Sequence, residues 1–330
     1  MAPEPSRSKD KILVTGITGA LGGGIARLFV REGRAVVGLL RPGSDADALR
    51  EVGIETVEGD ITDLQSVEHA MRECGYVVHA AAITPGSGAS EEMFHAVNAG
   101  GTRNVLAAAV SSGIERMVHV STVNVMALRP GATVDEDSPT PELTHRGYDE
   151  SKMAAEYAVL EASKSELDVV VVNPAVIFGP GSRSSGRIIS AFVRGRLPFV
   201  PLPERRMSIV YVDDVARGCL LALENGVRGQ KYILASPSIT VSQFIDELAA
   251  VTGRRRPRIS LPGWLVGLVV GAAWAVRPIT RWRPPITMAG VRYGGTIYDG
   301  SKATRELGLN YTELGEALAA TAEWILNPKE

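Results

Sequence analysis

The run Lys11-Ile12-Leu13-Val14-Thr15-Gly16-Ile17-Thr18-Gly19-Ala20-Leu21-Gly22-Gly23-Gly24 constrains this chain more than any other stretch. Residues suited to a buried parallel strand lead straight into a turn with glycines at 16, 19 and 22, and an amphipathic segment from Ile25 to Val30 follows. Without a Cβ, glycines at this spacing let the backbone turn tightly and approach a pyrophosphate within van der Waals reach. The next helix then aims its first N–H groups at the same anion. A glycine turn between strand and helix also serves plain packing, so the anion reading depends on support from the rest of the chain.

That support begins with rhythm. Strand-like segments at Lys11–Thr15, Ala35–Leu40, Glu55–Glu58, Tyr76–Ala80, Arg116–Ser121 and Asp168–Asn173 are short, mostly apolar on both faces and rich in Val and Ile. Helical stretches lie between them, including Ser90–Ser112 and Tyr148–Ser163. Continuously apolar strands alternating with helices predict an α/β protein, a doubly wound parallel sheet with helices on both faces. After Pro174 the rhythm degrades into loops at Gly179-Pro180-Gly181 and Pro198–Pro203. Met207–Val212 reads as a further strand leading into a helix over Val215–Leu223, and Lys231–Ala235 as one more strand. From Thr240 onward the pattern is mostly helical, as expected of a smaller substrate lobe.

The expected organisation is a disordered tail over 1–10, a nucleotide-binding domain over 11–180 with about 208–236, and a substrate lobe over 181–207 and 237–330. The tail is rich in Pro, Ser and charge and lacks the apolar core of a signal peptide. The two cysteines, Cys74 and Cys219, are far apart and lack metal-ligand spacing, which fits a reducing cytoplasmic compartment and no metal. The net charge of -2 gives no reason to expect nucleic acid.

Charge is unevenly spread. Leu248 to Tyr298 holds eight arginines and no lysine, aspartate or glutamate, so this segment carries +8 and the remainder -10. Within it, Ile259 to Val276 has no charged residue. An all-round apolar helix is buried or in lipid, and Pro262 with glycines at 263, 267 and 271 shortens its useful length. Three readings stand open: a roof over an apolar substrate pocket, peripheral membrane contact through 259–283, or a membrane span.

Chemistry-bearing residues cluster at the expected strand ends. Arg41 follows the second strand, where an acidic residue would bind a ribose 2′-hydroxyl and an arginine suits a 2′-phosphate, so NADP(H) is expected over NAD(H). Asp60, with Ile61, follows the third strand, where a carboxylate accepts from the adenine amino group or the stretch serves only to let Thr62 or Asp63 cap the next helix. His79-Ala80-Ala81-Ala82 ends the fourth strand with small side chains that let a ligand lie close or let a helix pack tightly. Asn98 is polar in an apolar helix and either fixes water or satisfies local backbone. Tyr148 and Lys152 share a helical face at i, i+4 spacing, one strand after Ser121-Thr122. A phenol titrates near ~10, and a neighbouring ammonium is expected to lower that value. Thr122, Tyr148 and Lys152 thus make a candidate proton-transfer set.

Taken with Asn98, Gly101-Thr102 and Pro174-x-x-Ile177-Phe178-Gly179-Pro180-Gly181, these motifs resemble the extended short-chain dehydrogenase/reductase family over nearly the whole chain. The similarity is greatest to its 3β-hydroxysteroid dehydrogenase-like and dihydroflavonol reductase-like branches. The former is matched also by Pro284-Pro285-Ile286-Thr287 and Tyr298-Asp299-Gly300-Ser301-Lys302-Ala303. The resemblance implies a Rossmann-type fold and a homodimer through the Ser90–Ser112 and Tyr148–Ser163 helices. It implies Tyr148 as general acid/base, Lys152 tuning it and binding the nicotinamide ribose, and Thr122 orienting the reacting oxygen. Cofactor contacts would come from Gly16, Thr18, Gly19, Ala20, Leu21 and Gly22, from Arg41, Asp60 and Ile61, from Ala80, Ala81, Ala82, Asn98 and Ser121, and from Pro174, Ala175, Val176 and Ile177.

Two departures stand out: Asn173 replaces the arginine most members carry before the proline, and Met207 replaces the arginine that sugar-nucleotide epimerases place before a Val-x-Asp strand end, with Arg206 one position earlier. The expected function is NADP(H)-dependent interconversion of a carbonyl and an alcohol on a small, largely apolar substrate of steroid, flavonoid or β-keto acyl type. An NAD(P)-retaining sugar-nucleotide epimerase or dehydratase is the alternative, and a non-catalytic NADP-binding regulator a third reading.

Overall fold

The computed structural model describes residues 10–45, 47–126, 129–139, 147–164, 167–182, 186–280 and 295–327. Residues 1–9 of the tail read over 1–10, the Pro284–Thr287 motif and the 281–283 end of the apolar segment lie outside the described residues.

Seven parallel strands form the central sheet: β1 (Lys11–Thr15), β2 (Val36–Leu40), β3 (Glu55–Glu58), β4 (Cys74–His79), β5 (Arg116–Val120), β6 (Val169–Pro174) and β7 (Lys231–Leu234). Their spatial order is β7-β6-β5-β4-β1-β2-β3. Strands β1, β2, β5 and β6 are buried almost throughout, as strands covered by helices on both faces must be. The order reverses between β1 and β4, and at such a switch point the two connections leave in opposite directions and open a crevice beyond the carboxyl ends of the strands.

Helices α1 (Ala20–Arg31), α2 (Leu64–Met71), α3 (Gly101–Ser112), α4 (Tyr148–Ser163) and α5 (Val212–Asn225) cover the sheet. One apolar cluster joins Ile25 and Phe29 of α1 with Val215 and Cys219 of α5, and another joins Val67 and Met71 of α2 with Val105 and Ala109 of α3. Cys74 and Cys219 are both buried and unbridged.

The segment Ser90–Ser112, periodic enough to be read as one helix, contains a π-helical turn at His95–Gly100 between a short helix, Glu91–Phe94, and α3. Asn98, within this turn, is buried. Met207–Val212 also departs from expectation. Ile209–Tyr211 pairs with Val176–Phe178, just after β6, and stands outside the seven-stranded sheet. It therefore braces the loop that leaves β6.

A third cluster, including Phe178, Phe192, Tyr211, Phe244 and Leu318, holds the C-terminal region together around α6 (Val241–Thr252) and α8 (Leu314–Leu326). Between these two lies α7 (Gly263–Thr280), which buries Val266 and Val270 against Leu202 and Leu261. Among the described residues no helix is long and apolar enough to cross a membrane, so the span reading finds no support there.

Candidate active site

The glycine turn closes on itself through contacts that only glycine permits. Gly16 has φ +75, and a Cβ there would lie 2.8 Å from the Cα and N of Ala81. The turn after β1 is thus pressed against the backbone leaving β4. A Cβ on Gly22 would stand 2.2 Å from the Gly16 carbonyl oxygen, so the first turn of α1 lies directly on the loop. The Gly19 N–H donates to the Gly16 carbonyl at 2.9 Å, and Gly19 caps α1. The first turn of α1 carries no acidic side chain, leaving its N–H groups and dipole open to an anion. Thr18 and Gly19 are exposed, while Ala20 and Leu21 are half-buried.

Behind the loop stands a buried polar tie. The Thr102 hydroxyl donates its one proton to the Asn98 carbonyl at 2.6 Å, so it must accept from the Nε2–H of His79 at 2.9 Å. His79 Nδ1 then accepts from the Thr15 hydroxyl at 2.8 Å, whose oxygen in turn accepts from the Ala81 N–H at 3.1 Å. This network assigns neutral His79 with its proton on Nε2. Burial, helped by the Lys152 charge, pulls its pKa down to about 3. Asn98 has a related duty: its carbonyl accepts from the Ile83 N–H at 2.8 Å, and its amide donates to the Ile83 carbonyl and the Ser151 hydroxyl. Its side chain thus satisfies nearby backbone, one of its two readings.

The adenosine side is more open. Arg41 is exposed immediately beyond β2. One carboxylate oxygen of Asp60 accepts from the backbone N–H and the hydroxyl of Thr62, both at 2.8 Å, while Asp63 caps α2. The Ile61 side chain is buried where Gly101 leaves room, a Cβ on Gly101 falling 2.6 Å from Ile61 Cδ1. Ala80 and Ala81 are half-buried and Ala82 exposed at the end of β4.

At the end of β5 and the start of α4 the proton-transfer candidates come together. Tyr148 and Lys152 lie on the buried face of α4, with Ala155, Glu156 and Val159. The Tyr148 ring packs edge-on against Phe94, centroids 5.8 Å apart. Burial raises the phenol pKa, the neighbouring Asp149 raises it further, and a side-chain hydrogen bond with Thr122 opposes the shift. This corrects the expectation that the Lys152 ammonium lowers it. Lys152 Nζ instead donates to the Val120 carbonyl at 2.8 Å, and its own pKa is lowered to about 8 by burial. Glu156, one turn further along, opposes that loss of charge.

Sequence reasoning missed the support behind this set. The Asn173 amide donates to the Glu156 carboxylate at 2.7 Å and to the Thr122 carbonyl at 3.2 Å, tying the counter-charge of Lys152 to the backbone that presents Thr122. The Asn124 amide donates to the buried Asp149 carboxylate at 3.1 Å. Glu156 was within reach of the spacing rule that finds Lys152 from Tyr148, since it lies a further four residues on. Asn173 and Asn124 carry no such local signal. The loop after β6 completes the rim, with Pro174 and Ala175 buried, Ile177 half-buried and Val176 exposed.

A dinucleotide fits these features. The Gly16–Gly22 cradle and the unopposed N-terminus of α1 suit a pyrophosphate. The buried Ser121 hydroxyl has no hydrogen-bond partner among the described residues, although it directly follows the carbonyl that receives Lys152.

Comparison with known proteins agrees. The NAD dependent epimerase/dehydratase family model matches residues 12–235. Sterol demethylase protein B of Methylococcus capsulatus is 33% identical over 95% of this chain and 97% of that protein. The 4-hydroxy-2-methyl-3-oxo-4-farnesyl-3,4-dihydroquinoline-1-oxide ketoreductase of Stigmatella aurantiaca is 35% identical over 74% of this chain and 73% of its own. The crystal structure of gox2253 superposes with a TM-score of 0.83 at 29% identity, covering 97% of this chain and 98% of that one. With a glycine cradle at the switch point and a Tyr148–Lys152 pair at the end of β5, this chain belongs to the NAD-dependent epimerase/dehydratase family, the extended short-chain dehydrogenases/reductases.

Proposed function

We propose that this protein is an NADP(H)-dependent reductase that interconverts a carbonyl and an alcohol on a small, largely apolar substrate, with reduction the favoured direction. The observation that carries the reading is the state of Tyr148: buried, hydrogen-bonded with the Thr122 side chain, and held protonated by its surroundings. A phenol in that state is a general acid ready to protonate a developing alkoxide. The bound nicotinamide would supply the hydride.

The chain's own residues do the rest. Thr122 sits where its hydroxyl can steer the substrate oxygen toward Tyr148. As the phenol gives up its proton, its hydrogen bond with the Thr122 side chain favours the phenolate left behind, while the Lys152 ammonium, on the same helical face, stays bonded to the Val120 carbonyl. Glu156, held by Asn173, keeps Lys152 charged in a site whose other buried neighbours, His79 and His119, are neutral. Arg41, exposed beyond β2, supports the choice of NADP(H). An apolar substrate accords with the names of the sterol and farnesyl-quinoline relatives.

Arg206 bears on the epimerase alternative. Its guanidinium is engaged by the Ser238 hydroxyl and carbonyl at 2.8 to 3.1 Å, which weighs against that alternative. The test is Tyr148→Phe, assayed with NADPH and a panel of steroid, flavonoid and β-keto acyl ketones. Cofactor affinity should persist while turnover falls about 10²–10⁴-fold. Retained turnover refutes the assignment, and wild-type turnover without net change in nicotinamide absorbance points to a cofactor-recycling epimerase.

A further inference from the structure

Over residues 263–272 helix α7 is apolar on both sides, yet only one side faces protein. Val266 and Val270, four residues apart, are buried against Leu202 and Leu261. Trp264 and Leu268, also four apart and on the other side, are 70% and 62% exposed, and Gly271 and Ala272 continue their stripe in the open. Ile259, just ahead of the helix, is 60% exposed. An exposed tryptophan, leucine and isoleucine grouped this way are not the scattered apolar residues of an ordinary surface.

The charge beside this patch selects its partner. Arg254, Arg255 and Arg258 are exposed in the loop that leads into Ser260–Leu261 and the helix, while Arg256 is turned to Asp246 on α6. The segment from 248 to 298 carries +8 on a chain whose remainder carries -10. In a two-fold contact between copies the same arginines would face one another, whereas an anionic bilayer offers negative charge at its face and hydrocarbon just beneath. Tryptophan suits the boundary between them, having an apolar body with one polar N–H.

We propose that the α7 patch, Ile259, Trp264 and Leu268 with Arg254, Arg255 and Arg258, docks this protein on an anionic lipid surface. Trp264 and Leu268 enter the acyl boundary, and the arginines lie among the headgroups. Docking of this kind is independent of which reaction the active site performs.

The test is co-sedimentation of the full chain with phosphatidylcholine vesicles and with vesicles of phosphatidylcholine plus phosphatidylglycerol. Partition should be at least tenfold greater on the anionic vesicles and should weaken as salt is raised. The double variant Trp264→Ser/Leu268→Ser and the triple variant Arg254→Gln/Arg255→Gln/Arg258→Gln should each lose that tenfold gain while melting at the wild-type temperature. Trp264→Phe, which keeps the face apolar, should still bind the anionic vesicles. Equal partition on both vesicles, no partition, undiminished binding by the double variant, or loss of binding in Trp264→Phe each overturns the proposal. So does conversion of a solution dimer to monomer by the double variant, which would make the patch a contact between copies.

Discussion

Three consecutive glycines in α1 offer an internal experiment on why the glycine turn exists. Gly22, Gly23 and Gly24 occupy one helix, so each Gly→Ala change brings the same gain in helix propensity, about 1 kcal/mol. Their surroundings differ. A Cβ at position 24 meets nothing within 4 Å. At position 23 it comes 2.9 Å from the Ile17 carbonyl oxygen, and at 22 it would stand 2.2 Å from the Gly16 oxygen and 2.6 Å from its carbonyl carbon. Both obstacles at 22 are backbone, and the same oxygen receives the Gly19 N–H, so no side chain can swing aside.

Gly24→Ala should therefore stabilise by about 0.5–1 kcal/mol. Gly22→Ala incurs overpacking strain of about 1–3 kcal/mol and puts the turn hydrogen bond at risk, worth about 1 kcal/mol, so net destabilisation of about 1–3 kcal/mol is expected. The two variants should differ by several degrees in thermal melts, since each kcal/mol moves Tm by about 2–4 °C in domains of 150–250 residues. Gly23→Ala should fall between them. A Gly22→Ala protein that melts at or above Gly24→Ala would refute the claim that α1 must lie on the Gly16 carbonyl.

Further outcomes follow from the buried titratable groups. Lys152 has a pKa of about 8 in the folded chain against an ordinary 10.5, so between those values the unfolded chain binds more protons and stability rises with pH. Lys152→Met should remove that rise and stabilise the protein at neutral pH by up to about 3 kcal/mol while abolishing turnover, as urea melts across pH and a reductase assay would show. A variant with the wild-type pH slope would show that Lys152 is not the desolvated charge. His79 is lowered from 6.5 to about 3, so its contribution is complete above pH 6.5 and lost as pH falls toward 3. The loss amounts to at most about 5 kcal/mol, and His79→Gln should flatten the acid limb of the stability profile. An unchanged acid limb would remove His79 from the account.

Much of the frame was readable from local pattern. Strands Lys11–Thr15 and Glu55–Glu58 and helix Tyr148–Ser163 have the bounds read from sequence, because Gly16 and Gly59 stop the strands and a change of period marks the helix. The π turn at His95–Gly100 was not readable, since one extra residue in a turn barely disturbs a helical hydrophobic pattern. The separate pairing of Ile209–Tyr211 with Val176–Phe178 was hidden too, because an apolar strand does not specify its partner.

The same division runs through the site. Residue type and spacing alone singled out the glycine turn, Thr122, Tyr148 and Lys152, for these lie within a few residues of recognisable strand and helix ends. Their electrostatic state depends on groups distant in the chain. Val120 receives the Lys152 ammonium from another element, Asn173 of β6 holds Glu156 of α4, and burial reverses the direction expected for Tyr148. By itself the sequence determined which chemical groups would be available and at which strand ends they would emerge. Only the tertiary structure decided their protonation, because desolvation and hydrogen bonding arise between segments that meet on folding.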